Sequence, residues 1–243
     1  SNKSLGVSGG RNLLIKNANG KYLIILDDDA AFKNTNALDL IVDSFKKDPD
    51  IALIAFKIID MIDNKPVNLR VPFSRHQIKK QKNIVDLPHH VSYFQGGGHA
   101  VKKSVFNKNG LYPTEFFFGY EESDLSFRII EGGDSLYYRP DIIVNHYTQH
   151  VTLSDRTQRT EYLYYLARNK IWLNYKYLPC LSFIVSTIAW CSLRLFSAIL
   201  HGGVLPVLLG FKDGFTRIPK LKRKPISKTT VKYLRVNYGR IYF

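Results

Sequence analysis

The chain has 243 residues, of which 45% are apolar and 23% are charged, so it is long enough for one large folded domain and too apolar for an intrinsically disordered protein. Two cysteines, Cys180 and Cys191, exclude a disulfide framework. The net charge of +15 lies mainly in the C-terminal third. Residues 1–150 carry 19 basic and 17 acidic side chains, whereas residues 151–243 carry 16 basic and 3 acidic side chains. This asymmetry predicts an anionic partner for the C-terminal third.

The first elements are a helix and a strand. A glycine-rich turn leads into a short helix predicted from about Ser8 to Ala18, with Gly20 as the residue that stops it. Residues 21–26 are an apolar run typical of a buried strand, and they end at Asp27–Asp29. Three adjacent carboxylates repel one another, so the sequence predicts a positively charged partner at the end of this strand.

An amphipathic helix and a second strand follow. The helix is predicted from a cap at Thr35 or Asn36 to the residues just before Pro49. Its apolar positions at helical spacing are Leu38, Ile41, Val42 and Phe45. Residues 51–60 predict a second buried strand, and the polar residues 62–92 predict a mobile insertion or an exposed hairpin.

The later elements of the first 150 residues also alternate. Residues 93–110 predict a strand, then a glycine turn, then a short helix. Residues 121–133 predict a helix closed by two glycines, and residues 135–146 predict a strand that leads to His146. Strands that alternate with helices indicate an α/β fold.

The C-terminal third has a helical pattern. An aromatic-rich helical segment precedes the apolar stretch 180–200, which is long enough to span a bilayer, although Arg194 argues against spanning. A second apolar stretch ends at Phe211. The basic residues that follow include Lys212, Lys220, Lys222, Arg223, Lys224, Lys228, Lys232, Arg235 and Arg240. Apolar helices followed by basic residues predict attachment to an anionic membrane surface on its cytoplasmic face rather than to nucleic acid; core-packed helices are the alternative.

The aspartates after the first strand predict a metal–phosphate site. Ligands of open α/β sheets bind beyond the carboxyl ends of the strands, and two carboxylates two residues apart can hold one divalent cation. A turn in which an aspartate caps the next helix is the alternative. His146 also ends a strand, and an imidazole near Asp29 would complete such a site, although a lone histidine is more often an ordinary polar residue.

Two further motifs could carry chemistry. On a helix, Glu121, Asp124 and Arg128 share one face, whereas Glu122 points elsewhere. One carboxylate could act as a general base toward a hydroxyl, or the acids could simply complement the helix dipole. The glycines of residues 95–100 remove side chains where another group approaches the backbone, or they form a tight turn.

The chain resembles the inverting family 2 glycosyltransferases of the GT-A (Rossmann-like) fold in three segments that keep the family's order and spacing: GVSGGRN…GKYLIILDDDA, FQGGGHAVKKSVFNKNGLYPTEFFFGYEESDLSFRI and YYRPDIIVNH. A further segment, YYLARNKIW, is similar to the one after the catalytic domain in bacterial polysaccharide and rhamnosyltransferase-like members. The resemblance implies transfer of a sugar, with inversion, from a nucleotide-sugar donor to a glycan or lipid-linked acceptor.

The resemblance also implies roles for single residues. The metal ligands for Mg²⁺ or Mn²⁺ on the donor diphosphate would be Asp29, Asp27 and His146. Glu122 falls at the position of the general base, which is often Asp in the family, so the catalytic candidates are Glu122, Glu121 and Asp124. The donor-binding residues would be Arg11, Asp27, Asp28, Gly97, Gly98 and His99.

The same resemblance predicts the domain organisation. Residues 1–155 would be a GT-A catalytic core that lacks the N-terminal β-α-β unit with which family members begin. Residues 156–243 would be a helical, basic, membrane-associating region. A catalytically incompetent GT-A fragment, or a basic protein that binds membranes or nucleic acid, is the alternative function.

Overall fold

The computed structural model describes residues 4–147 and 156–238, and within these ranges seven strands form one sheet. The strands are β1 Tyr22–Leu26, β2 Ala30–Phe32, β3 Ile51–Ile62, β4 Lys65–Arg70, β5 His89–Val91, β6 Gly98–Lys102 and β7 Ser135–Tyr147. The α-helices of the described residues are α1 Gly6–Asn17, α2 Ala37–Lys47, α3 Arg75–Lys80, α4 Lys103–Asn109, α5 Glu121–Glu131, α6 Arg156–Tyr177, α7 Cys180–His201, α8 Val204–Thr216 and α9 Lys228–Val236.

The sheet is mixed, in agreement with the predicted α/β class. Its order is β1-β6-β3-β7-β2, with β4 paired to β3 and β5 paired to β7. Among the described strands, β3 and β7 are parallel and the other pairs are antiparallel. Because β2 pairs with the last residues of β7, the short link between β1 and β2 lies beside the end of β7.

The central strand β3 separates two hydrophobic cores. Leu53 and Ala55 point into one core, and Ile54 and Phe56 point into the other. All four side chains are fully buried. This is the period-two alternation of a strand that is covered on both faces, and it explains why the sequence of β3 is almost continuously apolar.

Most predicted elements are confirmed, but the end of α1 is not where it was expected. The helix ends at Asn17, and the N–H of Ala18 donates to Leu14 O, so Gly20 lies beyond the helix and does not stop it. In α2, Ile41 and Phe45 are buried as predicted. Leu38 is 56% exposed, because the buried face of α2 begins at Ala37 instead.

Two segments differ from the prediction in their order or content. The predicted strand before the glycine turn is wrong, since β6 begins at Gly98, inside the glycine run, and continues after it. Residues 62–92 form the exposed hairpin strand β4 and also helix α3, which begins with a capping box formed by Ser74 and Gln77. The predicted domain boundary at residue 155 lies outside the described residues.

Helix α6 connects the sheet to the helices that follow. Its Leu173 packs in one cluster with Phe127 of α5, and its Ala167 packs in another with Trp190 of α7 and Val207 of α8. Helix α8 lies very close to α6, because a Cβ on Gly210 would be 2.6 Å from Ala167 Cβ and 2.6 Å from Tyr164 O. Glycine is therefore required where the two backbones meet.

The close contact of α6 and α8 makes Gly210→Ala destabilising. The added methyl group meets backbone atoms that cannot move aside, so we expect the free energy of unfolding to fall by about 1–3 kcal/mol. The control is Gly10→Ala in α1, where an added Cβ meets nothing within 4 Å and a gain of up to about 1 kcal/mol is expected. Urea denaturation measures both, and equal effects of the two substitutions would contradict the prediction.

Candidate active site

Three side chains that could bind one cation converge where β1 and β7 end. Asp27 and Asp29 lie in the link between β1 and β2, and His146 is the penultimate residue of β7. Backbone contacts fix this arrangement, since Ala30 pairs with His146 and Tyr147 N donates to Asp29 O at 2.7 Å. His146 Nε2 lies 3.2 Å from Asp29 Oδ1 and 3.9 Å from Asp27 Oδ2. Two carboxylates and an imidazole at these distances fit a divalent cation such as Mg²⁺ or Mn²⁺.

A third carboxylate, that of Asp60, orients the histidine. His146 Nδ1 lies 3.0 Å from Asp60 Oδ1, while Asp60 Oδ2 accepts hydrogen bonds from Asn68 Nδ2 at 2.9 Å and Arg70 Nε at 2.8 Å. Burial by itself would raise the pKa of Asp60, but the hydrogen bonds from Arg70 and Asn68 lower it. An ionised Asp60 accepts a hydrogen bond from Nδ1–H of His146, so that the Nε2 lone pair is directed at the aspartates. The same arrangement occurs in the carboxylate–histidine pairs that support metal sites.

Arg11 connects this cluster to helix α5. Its Nη2 lies 3.2 Å from Asp27 Oδ1, and its Nη1 lies 3.2 Å from Glu121 Oε1. Glu121 is 2% exposed. Burial and the adjacent charge of Glu122 raise the pKa of Glu121, and the positive charge of Arg11 opposes that rise. Arg11 is thus a positive partner of one of the three consecutive aspartates, Asp27.

The glycine turn permits the close contact of these groups. A Cβ on Gly96 would overlap Glu122 Oε1 and lie 2.8 Å from Arg11 Nη2. A Cβ on Gly97 would lie 3.1 Å from Asp27 Oδ2. Other side chains therefore fill the space next to the backbone of this turn. Of the two explanations given for the glycines, this favours the close approach of another group to the backbone.

A pocket of about 490 Å³ joins these groups, a size typical of small-molecule sites. Eight of the predicted site residues line it: Arg11, Asp27, Asp28, Asp29, Gly97, Glu121, Glu122 and His146. Glu122 is less buried than Glu121 and also faces this space. The pocket therefore brings a possible cation site and a carboxylate that could accept a proton into one cavity.

Asp124 differs from its prediction as a catalytic residue. It is fully buried, and its carboxylate contacts Arg128 Nη2 at 2.6 Å, Lys176 Nζ at 2.8 Å and Tyr177 Oη at 2.7 Å. Burial by itself would raise the pKa of Asp124, but Arg128 and Lys176 hold it below its usual value. Asp124 is not among the described residues that line the pocket. Its carboxylate binds Lys176 and Tyr177 of α6, so it joins α5 to α6 and does not face a substrate.

Gly98 and His99 also differ from their prediction as donor-binding residues. Gly98 begins β6 and packs against Val144 and Leu26 in the core. His99 is fully buried, and its Nε2 lies 2.9 Å from Tyr112 Oη. Burial lowers the pKa of His99 well below its usual value, which indicates a neutral core histidine. The strand alternation that begins at Gly98 turns this histidine away from the pocket.

Residues 1–110 match the family model described as "Glycosyl transferase family 2". The match covers somewhat less than half of the chain and shows what these residues are similar to. The mixed sheet with flanking helices is that of the GT-A fold. The matched range holds Arg11, the aspartates and the glycine turn, whereas Glu122 and His146 lie beyond it.

Similar proteins were found among curated sequences and solved structures. An uncharacterized protein of Haemophilus influenzae (strain ATCC 51907 / DSM 11121 / KW20 / Rd) is 30% identical over 112 residues, which are 46% of this chain and 58% of that protein. GalNAc-T7, solved with UDP, GalNAc and Mn²⁺, has a TM-score of 0.48 at 17% identity over 69% of this chain and 36% of its own.

A second similar structure is the mannosyltransferase PcManGT from Pyrobaculum calidifontis, solved with GDP-Man and Mn²⁺. It has a TM-score of 0.47 at 14% identity over 96% of this chain and 64% of its own. The chain thus spans less than two thirds of the length of each of these three proteins.

The candidate site contains residues that the sequence analysis missed. Asp60 ends the predicted strand 51–60, so the rule that drew attention to Asp27 and His146 could also have found it. Arg70 and Asn68 lie on β4, in the segment predicted to be a mobile insertion or an exposed hairpin. No sequence pattern in that segment indicates that they bind the buried Asp60. Gly96 was part of a recognised motif, but its contact with Glu122 depends on the fold.

Asp124→Asn tests whether Asp124 is structural. The change leaves Arg128 and Lys176 without their buried anion, so we expect a loss of about 3–5 kcal/mol at pH 7. The pKa of Asp124 is lower in the folded chain than in the unfolded chain, so its stabilisation is present above the unfolded pKa and is lost as the pH falls through the folded pKa. The difference between wild type and variant should therefore shrink below about pH 4.

The control for this experiment is Asp141→Asn. Asp141 pairs with Arg139 at the surface, where its side chain is 48% exposed, and we expect a loss of less than about 1 kcal/mol. Urea denaturation between pH 3 and pH 7 measures both variants. An Asp124→Asn variant as stable as Asp141→Asn at pH 7 would contradict the structural role.

Proposed function

We propose that this protein is a glycosyltransferase that moves a sugar, with inversion, from a nucleotide-sugar donor to a hydroxyl of a glycan or lipid-linked acceptor. One observation carries the proposal: Asp27, Asp29 and His146 share a pocket with Glu122. A cation site for a diphosphate and a carboxylate for a hydroxyl proton are the two parts that such a transfer requires. The match of residues 1–110 to the family model "Glycosyl transferase family 2" supports the same function.

The donor would bind at the end of the pocket formed by the aspartates. Asp27, Asp29 and His146 would hold Mg²⁺ or Mn²⁺, which when bound neutralises the negative charge that develops on the leaving diphosphate. Arg11, whose side chain is 9% exposed and already lies next to Asp27, would offset part of the negative charge at this end of the pocket. Asp60 would keep His146 oriented toward the cation throughout.

Glu122 is the proposed general base. In a single displacement, the acceptor oxygen forms a bond to the anomeric carbon as the bond from that carbon to the diphosphate oxygen breaks, and the hydroxyl proton passes to the carboxylate. Attack from the face opposite the leaving group inverts the configuration. Glu122 is accessible in the pocket, whereas Glu121 is buried against Arg11, so Glu122 is the better placed of the two.

Glu122→Gln should lower sugar transfer by roughly 10²–10⁴-fold, because the amide cannot take up the hydroxyl proton. The assay is release of nucleoside diphosphate from a panel of UDP-, GDP- and dTDP-sugars with Mn²⁺ or Mg²⁺. Removal of the metal with EDTA should abolish release. Glu131→Gln, at the end of the same helix and outside the described lining of this pocket, is the control and should keep its turnover.

Two outcomes of that assay would contradict the proposal in different ways. If Glu122→Gln keeps full turnover and Glu121→Gln abolishes it, the base is the neighbouring residue. If the wild type turns over no donor with either metal, the alternative of a catalytically incompetent GT-A fold is favoured.

We also infer that the C-terminal helices attach the protein to the cytoplasmic face of a membrane. Helix α7 is the one described helix that is long and apolar enough to cross a bilayer. Its inner face, with Trp190 and Ala198, packs on the protein, whereas its outer face is exposed. The exposed apolar side chains of α7 and α8 include Leu181, Ile184, Ile188, Leu193, Phe196, Ile199, Leu200, Leu205, Leu208, Leu209 and Phe215. A helix with one packed face and one apolar open face favours an in-plane position in the membrane interface.

Basic residues after α8 support this attachment. Lys220, Lys222 and Lys224 follow the apolar helices directly, and each basic residue near an anionic surface contributes on the order of 1 kcal/mol. Arg240, at the end of the predicted basic stretch, lies outside the described residues. Apolar insertion and charge attraction together are the two contributions that stable peripheral binding needs.

The membrane proposal predicts sedimentation with anionic vesicles. Full-length protein should bind phosphatidylglycerol-containing vesicles strongly, and high salt should weaken the binding without abolishing it. The double variant Ile188→Gln/Phe196→Gln should lose the salt-resistant part, and Lys220→Glu/Lys222→Glu should lose the salt-sensitive part.

The control for the vesicle experiment is Val67→Gln/Leu69→Gln. These two apolar side chains are also exposed, but they lie on β4, far along the chain from the proposed surface, so binding should not change. Equal binding of the wild type to neutral and anionic vesicles would exclude the electrostatic contribution. No binding to either kind of vesicle would exclude membrane attachment.

A further inference from the structure

One end of the active-site pocket is aromatic. Beyond Glu122, its walls are formed by Phe118 and Tyr120 from the turn before α5 and by Tyr162 and Leu166 from α6. The side chain of Tyr162 is large and 47% exposed, and its ring lies 5.7 Å from that of Phe118 in a tilted arrangement. The two rings thus form an apolar corner that is open to the pocket.

This corner belongs to the pocket end away from the proposed cation. The glycine turn gives the order of the groups, since Gly97 contacts Asp27 and His146, whereas Gly96 contacts Glu122. The turn that carries Phe118 and Tyr120 comes immediately before α5 and therefore continues from the Glu122 side. A molecule against the aromatic corner would lie across Glu122 from the metal ligands.

The corner is held rigidly by α6. Asn169 Nδ2 donates to Phe116 O at 2.8 Å, Phe118 O at 2.8 Å and Gly119 O at 3.0 Å. Arg168 Nη2 donates to Glu115 O and Phe116 O. These bonds hold a turn in which Phe117 and Tyr120 both have positive φ, 62° and 71°.

A backbone strained at two non-glycine residues persists only where its surroundings fix it, and such strain is concentrated at functional sites. Five hydrogen bonds from side chains of one helix to backbone carbonyls therefore serve to present Phe118 and Tyr120 in one orientation. A turn that merely connected two elements would need no such support.

We propose that Phe118, Tyr120 and Tyr162 form the subsite for the acceptor sugar ring. The proposal rests on the proposed function, because it places the ring where its hydroxyl can reach Glu122. A pyranose has an apolar face of C–H groups, which gains contact and loses water against an aromatic ring, and an edge of hydroxyls, which can point at a carboxylate. The cationic side chains that line the described pocket are Arg11 and Arg70, which contact Asp27 and Asp60 at its other end. Lys170 Nζ lies 5.4 Å from the Tyr120 ring but is buried and does not line the pocket. The ligand class that the corner fits is therefore a neutral carbohydrate rather than a phosphate.

Saturation-transfer NMR tests the subsite directly. The probes are methyl glycosides of glucose, galactose, mannose, N-acetylglucosamine and rhamnose, added to full-length protein with diamagnetic Mg²⁺ and UDP, GDP or dTDP. We expect transfer to the ring C–H protons of at least one glycoside in the wild type and in Tyr162→Phe. Tyr162→Ala should bind that glycoside roughly 3- to 10-fold more weakly, the scale of a single aromatic contact.

The control variant is Tyr137→Ala, which removes a partly buried tyrosine outside the described pocket lining and should leave glycoside binding as in the wild type. Absence of transfer to every glycoside, or equal transfer in Tyr162→Ala, would overturn the proposal. Loss of the nucleobase signals instead of the glycoside signals in Tyr162→Ala would also overturn it and would assign the corner to the donor. Glycoside binding that persists while no donor is ever turned over would count against the proposed function and leave the subsite standing.

Discussion

The site depends on the position of one guanidinium. Arg11 contacts Asp27 and Glu121, which lie 16 and 110 residues away in the sequence, so it joins helix α1, the end of β1 and the start of α5. Without a positive charge at this point, a nearly fully buried glutamate would lie close to Glu122 and to the aspartates with no compensation. Gly96 has no side chain, so the guanidinium of Arg11 and the carboxylate of Glu122 can both lie against the backbone at this position.

Helix α6 makes the C-terminal helices part of the same site. Asn169 and Arg168 hold the strained turn before α5, and Lys176 of the same helix pairs with Asp124 inside α5. Helix α7 reaches the pocket as well, since Trp190 packs edge-on at 6.5 Å from Tyr120. The predicted division into a catalytic core and a membrane-associating region therefore reflects a change in amino-acid composition along the chain. In the structure, helices α6 and α7 contact the core directly. A membrane-bound acceptor approaching α7 would arrive next to the pocket wall.

Most helices and strands could be predicted from the sequence because their apolar residues are strongly periodic. The grouping of Asp27, Asp29 and His146 could be predicted because ligands bind at the ends of strands, along one edge of the sheet. Prediction from the sequence failed where tertiary partners decide the role of a side chain. Asp124 and Glu121 share a helix face by spacing, yet Lys176 and Tyr177 of α6 draw Asp124 into a buried network. His99 lies in a recognised motif, yet the register of β6 turns it inward. Asp60 went unnoticed because its partners lie on an exposed hairpin strand.

The two neighbouring glutamates illustrate how the fold separates roles that the sequence left equivalent. Successive helical residues point about 100° apart, so one glutamate at the start of α5 can meet Arg11 while the next meets the pocket. The buried member keeps one carboxylate oxygen, Oε2, without a hydrogen-bond partner among the described residues, and burial raises its pKa. Such a group is costly to move and poorly exposed to a substrate. Glu121 is therefore suited to fixing Arg11, and Glu122 is the less buried of the two in the pocket.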